Sequence, residues 1–192
     1  MATARSDLAP VVPLFRSKRA SLEWACEKHP GVFSERKLGY VNEPFHWEWY
    51  ELERRYDRLA IVAPREHAKS EIFSVNTTAH KAIYEPGSWQ HLFSSTIPLA
   101  HELVDRTVQA IARAAPWMLD GSPRFTKSDM VFSNWSRITV GSVGRATRGL
   151  HPDRIVGDDV LDELRTMTNP AASAPIWPEP PSLGWYRQQK SA

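Results

Sequence analysis

The sequence predicts an α/β fold in which helices flank a mainly parallel sheet in three layers. Short apolar runs at 58–63, 89–95 and 153–159 are typical of strands that are buried on both faces. Segments with the helical spacing of apolar residues lie between the first two runs and after the second. The order strand, helix, strand, helix, insertion, strand favours parallel strands joined by crossover helices.

The amino-acid composition excludes several classes of protein. The 192 residues are 42% hydrophobic, carry a formal net charge of +2 and include one cysteine, Cys26. One cysteine excludes a disulfide framework and a multi-cysteine zinc site, so a reducing intracellular setting is expected. No apolar run is long enough to span a membrane, and the first 19 residues lack the apolar core of a secretory signal.

The first part of the chain is predicted to be largely helical. Residues 1–40 are interpreted as an N-terminal leader with a helix at 19–29 followed by a loop. The main domain is predicted at 41–168 and opens with an aromatic-rich helix at 44–56. Residues 169–192 hold many prolines and are interpreted as an irregular tail.

The next segments follow a strand–helix alternation. A strand at 58–63 precedes a helix at 69–84, which ends before the turn signal of residues 85–88. A second strand at 89–95 precedes a helix at 98–115. Thr96 is expected to be its N-cap, with Pro98 as its first residue.

The last predicted strands are of two kinds. Residues 129–134 and 137–143 are predicted to form a hairpin of exposed strands. The run at 153–159 is predicted to be a third buried strand, with Ile155 and Val156 at its centre. Right-handed crossovers would bring the loops after 58–63 and 153–159 to the same edge of the sheet.

Residues 63–70 fit the frame of a phosphate-binding loop, G-x-x-x-x-G-K-[ST], with alanine at both glycine positions. Lys69 and Ser70 keep the pair that contacts the β- and γ-phosphates and Mg²⁺ in such loops. A helix N-terminus also favours a bound anion. By itself the motif is compatible with phosphate binding or with an ordinary helix start.

Two adjacent carboxylates follow the last strand. Asp158 and Asp159 repel each other unless a cation lies between them. In a nucleotide site the first would hold Mg²⁺ and the second would orient or deprotonate the attacking water. The alternative is a solvated turn or a helix N-cap, with Asp162 and Glu163 in the first helical turn. Both motifs in this order favour a nucleotide site.

These two stretches resemble the ATPase domain of phage terminase large subunits, the motors that package viral DNA into a procapsid. The similar segments are "APREHAKSE" after an apolar run and "RATRGLHPDRIVGDDVLDE" after a hairpin. The resemblance covers residues 40 to 165 and implies a P-loop NTPase-like fold that is incomplete at the C-terminus.

The resemblance also implies roles for individual residues. ATP and Mg²⁺ would be the ligands, with Ser70 and Asp158 on the metal. Asp159 would be the catalytic acid, Arg65 a second catalytic residue and His46 a neighbour of the adenine. The nucleotide-binding loop would comprise Pro64, Arg65, Glu66, His67, Ala68, Lys69 and Ser70. Arg145 and Arg148 are candidate sensors of the γ-phosphate or contacts to a neighbouring subunit, or members of surface ion pairs.

Partners follow from the same family. They would be double-stranded DNA, further copies in a ring, the small terminase subunit and the portal protein, in the cytoplasm of a host cell. The coupling strand and the nuclease carboxylates of full-length members are not found, so the chain is interpreted as truncated and without DNA cleavage. A remnant that binds nucleotide or a partner without hydrolysis, another P-loop enzyme such as a helicase, and a basic DNA-binding domain are the alternatives.

Overall fold

A computed structural model describes residues 17–143 and 149–160 and shows an α/β chain with one mixed sheet. Pro30 and Pro44 begin helices where their missing N–H groups need no partner. Helix α2 continues as a π-helical turn at Ser34–Leu38, and a π-helical segment at Ser70–Asn76 leads into α4. The α-helices are α1 (Lys18–Lys28), α2 (Pro30–Phe33), α3 (Pro44–Arg55), α4 (Thr77–Tyr84) and α5 (Ile97–Ala114), and a 3₁₀ turn covers Pro116–Met118.

The sheet has five strands in the order β2-β3-β4-β1-β5. Strand β1 lies between β4 and β5 and pairs with both in parallel, whereas β2–β3 and β3–β4 pair antiparallel. The predicted α/β class is confirmed, but the sheet is mixed rather than mainly parallel because the hairpin is part of it. The strands are β1 (Trp89–Ser94), β2 (Arg124–Phe125), β3 (Asp129–Val131), β4 (Arg137–Ser142) and β5 (Arg154–Asp158).

One face of the sheet carries the core. Leu92, Ile138 and Val156 from the three parallel strands are buried there, in one cluster with Val104 and Ile111 of α5. Helix α5 is strongly amphipathic, so its apolar stripe covers this face and its polar stripe meets solvent. The predicted strand at 89–95 and the helix after it are therefore confirmed, with Thr96 as the N-cap.

The segment before residue 40 contributes to the same core. Cys26, Phe33 and Leu38 are buried in the main cluster, and α2 and its π-helical turn contact α4 and α5. The predicted helix at 19–29 is confirmed within one residue, but the chain continues as helix where a loop was expected. The helix at 44–56 is confirmed as α3, and the helix at 69–84 as the π-helical segment and α4.

The predicted buried strand at 58–63 is wrong. These residues belong to no strand, and every one of them is exposed or half-buried, with Val62 99% exposed. An apolar run becomes a buried strand only if a neighbouring strand offers it a free edge at hydrogen-bonding distance. No described strand pairs with this run, so its composition alone does not bury it.

Burial was also mispredicted in the last strands. Strand β5 forms where predicted but lies at the edge of the sheet, so Val156 is buried whereas Ile155 is 62% exposed. The sequence predicts an exposed hairpin, but Met130 and Ile138 are buried because β4 also pairs with β1.

Arg154 links the start of β5 to the helical layer, which consists here of α3, α4 and the π-helical segment before α4. Its guanidinium lies 3.3 Å from a Glu53 oxygen at the end of α3. It also donates to Thr78 Oγ1 at 3.0 Å and to the Phe73 carbonyl at 3.1 Å. These bonds offset the desolvation of a charge that is taken out of water. Among the described residues, no helix is long and apolar enough to cross a membrane.

Candidate functional site

The two predicted motifs meet at the carboxyl edge of the parallel strands. Ser94 and Asp158 are paired at the ends of β1 and β5. The Ser70 hydroxyl donates to Asp158 Oδ1 at 2.9 Å, a contact between residues 88 positions apart. The loop at 63–70 therefore reaches the acidic end of β5 although 58–63 is not a strand.

The backbone of the loop turns at two left-handed residues. Glu66 has φ 66° and Ala68 has φ 57°. Ala68 occupies the second glycine position of the phosphate-loop frame, where a residue without Cβ adopts this conformation most easily. The loop thus has the left-handed backbone at that position without the glycine, and alanine carries the resulting strain.

Lys69 interacts with its own loop. Its ammonium donates to the carbonyl of Pro64 at 2.9 Å and also to the carbonyl of Ala63. The side chain is half-buried and folded back over residues 63–68. A phosphate in the loop would have to take the place of these carbonyls as acceptor for the ammonium.

The helix start after the loop has no side-chain cap. Lys69 is at its N-cap position and makes no cap hydrogen bond, and Ser70 opens a seven-residue π-helical segment. The first N–H groups of a helix have no partner inside the helix. The Ile72 N–H already donates to the Ala68 carbonyl at 2.9 Å, so only the N–H groups before Ile72 can bind an acceptor from outside. They lie at the positive end of the helix dipole.

Asp158 is electrostatically perturbed. Burial raises the pKa of its carboxyl above the usual range, and the negative charge of Asp159 adds to this. Hydrogen bonds from Ser70 and Ser74 and the charge of Arg106 act in the opposite direction. Because burial dominates, the ionised carboxylate is short of positive charge, which a bound cation would supply.

The structure also contains an ion pair beside the loop that the two motifs do not predict. Glu71 forms an ion pair with Arg106 of α5 and accepts a hydrogen bond from the Tyr40 hydroxyl. The Glu71 side chain is only 13% exposed, so this pair joins the residue after Ser70 to α5. Glu71 directly follows the Lys-Ser pair, but nothing in the sequence pattern distinguishes Arg106 from other polar residues of its helix.

The donor set at Ser70 and Asp158 fits Mg²⁺. A hydroxyl and a carboxylate oxygen lie within hydrogen-bond distance of each other, and Mg²⁺ typically takes one or two such protein ligands and completes its octahedron with water and phosphate. Within the described ranges, no group of three or more His, Cys, Asp or Glu residues is placed to hold a metal by itself. The site therefore suits a metal that arrives with phosphate better than an all-protein metal cage.

Asp159 does not join Asp158 and Ser70. It is exposed, has a left-handed backbone with φ 47°, and makes no hydrogen bond or ion pair with a described residue. The left-handed turn sends the chain away from the strand direction directly after Asp158. The two adjacent carboxylates therefore differ in their surroundings, one partly buried and bonded, the other in water.

The remaining predicted loop residues lie in the exposed part of the loop. Pro64, Arg65, Glu66 and His67 are exposed. The His67 Nδ1 atom lies 2.8 Å from the Arg65 carbonyl oxygen, which holds the loop in a tight turn.

An aromatic group from α3 borders the loop. The rings of Phe45 and His67 have centroids 5.8 Å apart, and Phe45 also contacts His46 and Trp49. His46 is buried, and its Nδ1 atom accepts from the Glu43 N–H at 3.0 Å, so the ring closes the start of α3. The candidates Arg145 and Arg148, the acids Asp162 and Glu163, and the tail at 169–192 lie outside the described residues.

Compared with models of known protein families and with curated proteins, the chain matches none. The function therefore has to be argued from the site.

Proposed function

We propose that this chain is a Mg²⁺-dependent ATPase of the kind that forms the motor domain of phage terminase large subunits. The observation that carries the proposal is the hydrogen bond between Ser70 Oγ and Asp158 Oδ1. It joins a phosphate-loop frame to a strand-end aspartate, the two parts that a P-loop site needs.

Each residue has a role in this proposal. Ser70 and Asp158 hold the metal, and the uncapped helix start donates backbone N–H groups to the phosphates. Lys69 exchanges the carbonyls of Ala63 and Pro64 for phosphate oxygens. When bound, Mg²⁺ and ATP supply a γ-phosphoryl group whose charge the metal partly neutralises.

Two further residues complete the proposed site. Arg65 adds a cation at the exposed side of the loop, where it can stabilise charge on the transferred phosphoryl group. Asp159 is in water beside Asp158, which suits a carboxylate that orients an attacking water molecule. Assembly into a ring on double-stranded DNA, with a small subunit and a portal, belongs to the same proposal through the resemblance.

A second candidate is a nucleotide-binding domain that does not hydrolyse ATP. The position of Asp159 favours it, because its carboxylate has no bond to any described residue that would fix its direction. A base that is not oriented contributes little to catalysis. The two candidates share the binding site and differ only in phosphate release.

The test combines calorimetric binding of Mg²⁺-ATP with an assay of phosphate release, using the purified chain. We expect Lys69→Ala to weaken ATP binding by about 100-fold, the effect of losing one strong charged contact to a phosphate. We expect Asp158→Asn to remove Mg²⁺-dependent turnover while its circular dichroism stays that of the wild type.

Lys127→Ala is the matched control, because Lys127 is exposed between β2 and β3, away from the loop. It should bind and turn over ATP like the wild type. Binding without phosphate release by the wild type would select the second candidate. Equal binding by Lys69→Ala and the wild type, or no binding by either, would reject both.

A further inference from the structure

A cavity lies between α5 and residues 38–40. Its volume is about 190 Å³, and one side is open to solvent. From α5 it is lined by residues at positions i, i+3, i+4 and i+7, which share one face of the helix: Arg106, Gln109, Ala110 and Arg113. Pockets for drug-sized ligands have roughly 300–1,000 Å³, so this cavity has room for a small molecule or a single side chain and not for a nucleotide.

The wall opposite α5 consists of Leu38, Tyr40 and Glu71. Glu71 Oε1 accepts from the Tyr40 hydroxyl, and Glu71 Oε2 is bonded to Arg106 Nη2. Leu38 is buried and contributes an apolar side chain, as Ala110 does from α5. The carboxylate in this wall therefore has its partners within the protein, and part of the cavity surface is apolar.

The α5 wall has N–H donors that the protein does not use. Arg113 donates to the Leu38 carbonyl at 2.9 Å through Nη1 and forms no ion pair with a described residue. A guanidinium has five N–H groups, so capping one carbonyl occupies a small part of its capacity. Gln109 is exposed and makes no hydrogen bond with a described residue. Both side chains can therefore donate to a ligand in the cavity.

The charges of the lining restrict the ligand. Two arginines and one glutamate line the cavity, which gives a net charge of +1. One monoanion would neutralise this charge, whereas a dianion would leave the site negative beside Glu71. A planar carboxylate matches the fork of a guanidinium and can accept two parallel hydrogen bonds from it. The apolar surface of Leu38 and Ala110 suits a short aliphatic stem behind the carboxylate.

We propose that this cavity binds one carboxylate group on a short aliphatic stem. Arg113 is the main countercharge, Gln109 donates from its amide, and Arg106 donates from the N–H groups that do not face Glu71. A small aliphatic acid and the side chain of a glutamate share this chemistry. The proposal is independent of the proposed ATPase function, because it uses neither the loop at 63–70 nor Asp158.

A phosphodiester is also a monoanion, but the surroundings of the cavity suit it less well. A nucleic-acid backbone binds to a row of cations that neutralise successive phosphates. On α5 the exposed residues before the cavity are the acids Glu102 and Asp105, which would repel such a row of phosphates. The positive charge is confined to the cavity, which favours a single small anion.

The experiment titrates the ¹⁵N-labelled full chain with butyrate at low ionic strength and follows backbone amides and arginine Nε–H groups by NMR. We expect saturable shifts at Arg106, Arg113 and the amides of residues 38–40, with a Kd on the order of 1 mM for an anion of about six non-hydrogen atoms. Butyramide has a similar shape without the charge and should not bind measurably. The blocked tripeptide acetyl-Gly-Glu-Gly-amide is titrated in parallel. Tighter binding of butyrate assigns the site to a free acid, and tighter binding of the tripeptide assigns it to an acidic side chain of a partner chain.

Gln109→Glu is the most direct variant, because Gln109 is exposed and bonded to no described residue, so the variant should fold like the wild type. Its carboxylate would compete for the arginines, and we expect butyrate to bind at least about tenfold more weakly. Arg113→Gln keeps a donor for the Leu38 carbonyl but removes the charge, and it should weaken binding by about tenfold as well.

Lys127→Ala is the matched control, since it lowers the net charge by one, as Gln109→Glu does, at an exposed position between β2 and β3. It should bind butyrate like the wild type. Four results would overturn the proposal: no saturable shift in the wild type, equal binding of butyrate and butyramide, equal binding of butyrate by Gln109→Glu and the wild type, or tighter binding of dimethyl phosphate than of butyrate. The last result would assign the cavity to a phosphodiester.

Discussion

Two helices begin at the same edge of the sheet, and their first backbone N–H groups differ in how they are satisfied. At the start of α5, Thr96 Oγ1 accepts from the Leu99 N–H at 3.5 Å, and Pro98 has no N–H to satisfy. The π-helical segment that begins at Ser70 has no side-chain cap. In the turn before it, Ala68 has a left-handed backbone. At α5 a side-chain cap and a proline leave fewer N–H groups without a partner, whereas the start at Ser70 has neither and leaves more donors for an external acceptor.

The same contrast holds for the titratable groups of the two regions. His80 of α4 lies in the helical layer, where its Nε2 atom bonds the carbonyls of Cys26 at 2.9 Å and Glu27 at 3.1 Å. Asp158 at the loop is also partly buried, but its carboxylate forms no ion pair with a described residue. We infer that the helical layer provides stability and that the loop side is arranged for a ligand.

The largest expected effect concerns His80 in the helical layer. Burial lowers the pKa of its imidazole from 6.5 to about 4. The unfolded chain therefore takes up this proton at a higher pH than the folded chain does. Stability is complete above pH 6.5 and is lost as the pH falls to 4, by about 3 kcal/mol if each pKa unit is worth about 1.4 kcal/mol.

Urea unfolding at pH 7 and pH 4 measures this effect. His80→Gln keeps a side-chain N–H donor but cannot be protonated in this range, so its stability should fall less on acidification. The difference between the two proteins isolates His80 from the carboxylates, which titrate in both. Equal losses for the wild type and His80→Gln would show that His80 isn't the acid-sensitive group.

The next effect concerns the strained turn of the loop. Ala68→Gly removes the Cβ from a residue with φ 57°. The strain relieved is roughly 1–2 kcal/mol, and the extra freedom of glycine in the unfolded chain takes back about 0.4–1 kcal/mol. We expect a net gain of about 0.5–1 kcal/mol in the free energy of unfolding, measured with urea.

Ala20→Gly in α1 is the control for this substitution. Ala20 is exposed in the first turn of α1, with a right-handed helical backbone, where glycine costs up to about 1 kcal/mol relative to alanine. The same change should therefore have opposite signs at the two positions. A loss of stability for Ala68→Gly would mean that its left-handed backbone is not strained.

The smallest effect concerns the closed helix start. Thr96→Ala removes the cap of α5, and because the bond is long we expect a loss of about 0.5 kcal/mol, at the low end for N-caps. Thr96→Ser should retain most of the stability. ATP binding, measured by calorimetry, should be unchanged in both variants. A clear drop in ATP affinity would place this helix start in the ligand site and remove the contrast between the two starts.

The sequence predicts four of the α-helices (α1, α3, α4 and α5), four of the strands (β1, β3, β4 and β5) and the order of the two motifs. Apolar spacing marks the amphipathic stripe of α5, and Thr96 with Pro98 marks its start, because these signals act within a few neighbouring residues. The Lys-Ser pair and the double aspartate were found in the same way. Their contact through Ser70 and Asp158 agrees with the expectation that both loops reach one sheet edge.

Which apolar runs are buried depends on tertiary contacts that the sequence pattern does not show. Residues 58–63 hold more apolar side chains than residues 137–142, yet the first segment is exposed or half-buried and the second is the middle strand of the described sheet. Composition gives a segment its tendency to be buried, but burial needs a partner strand, and that partner comes from a distant part of the chain. The ion pair of Glu71 and Arg106 was invisible in the sequence for the same reason, since it forms between side chains 35 positions apart that only the fold brings together.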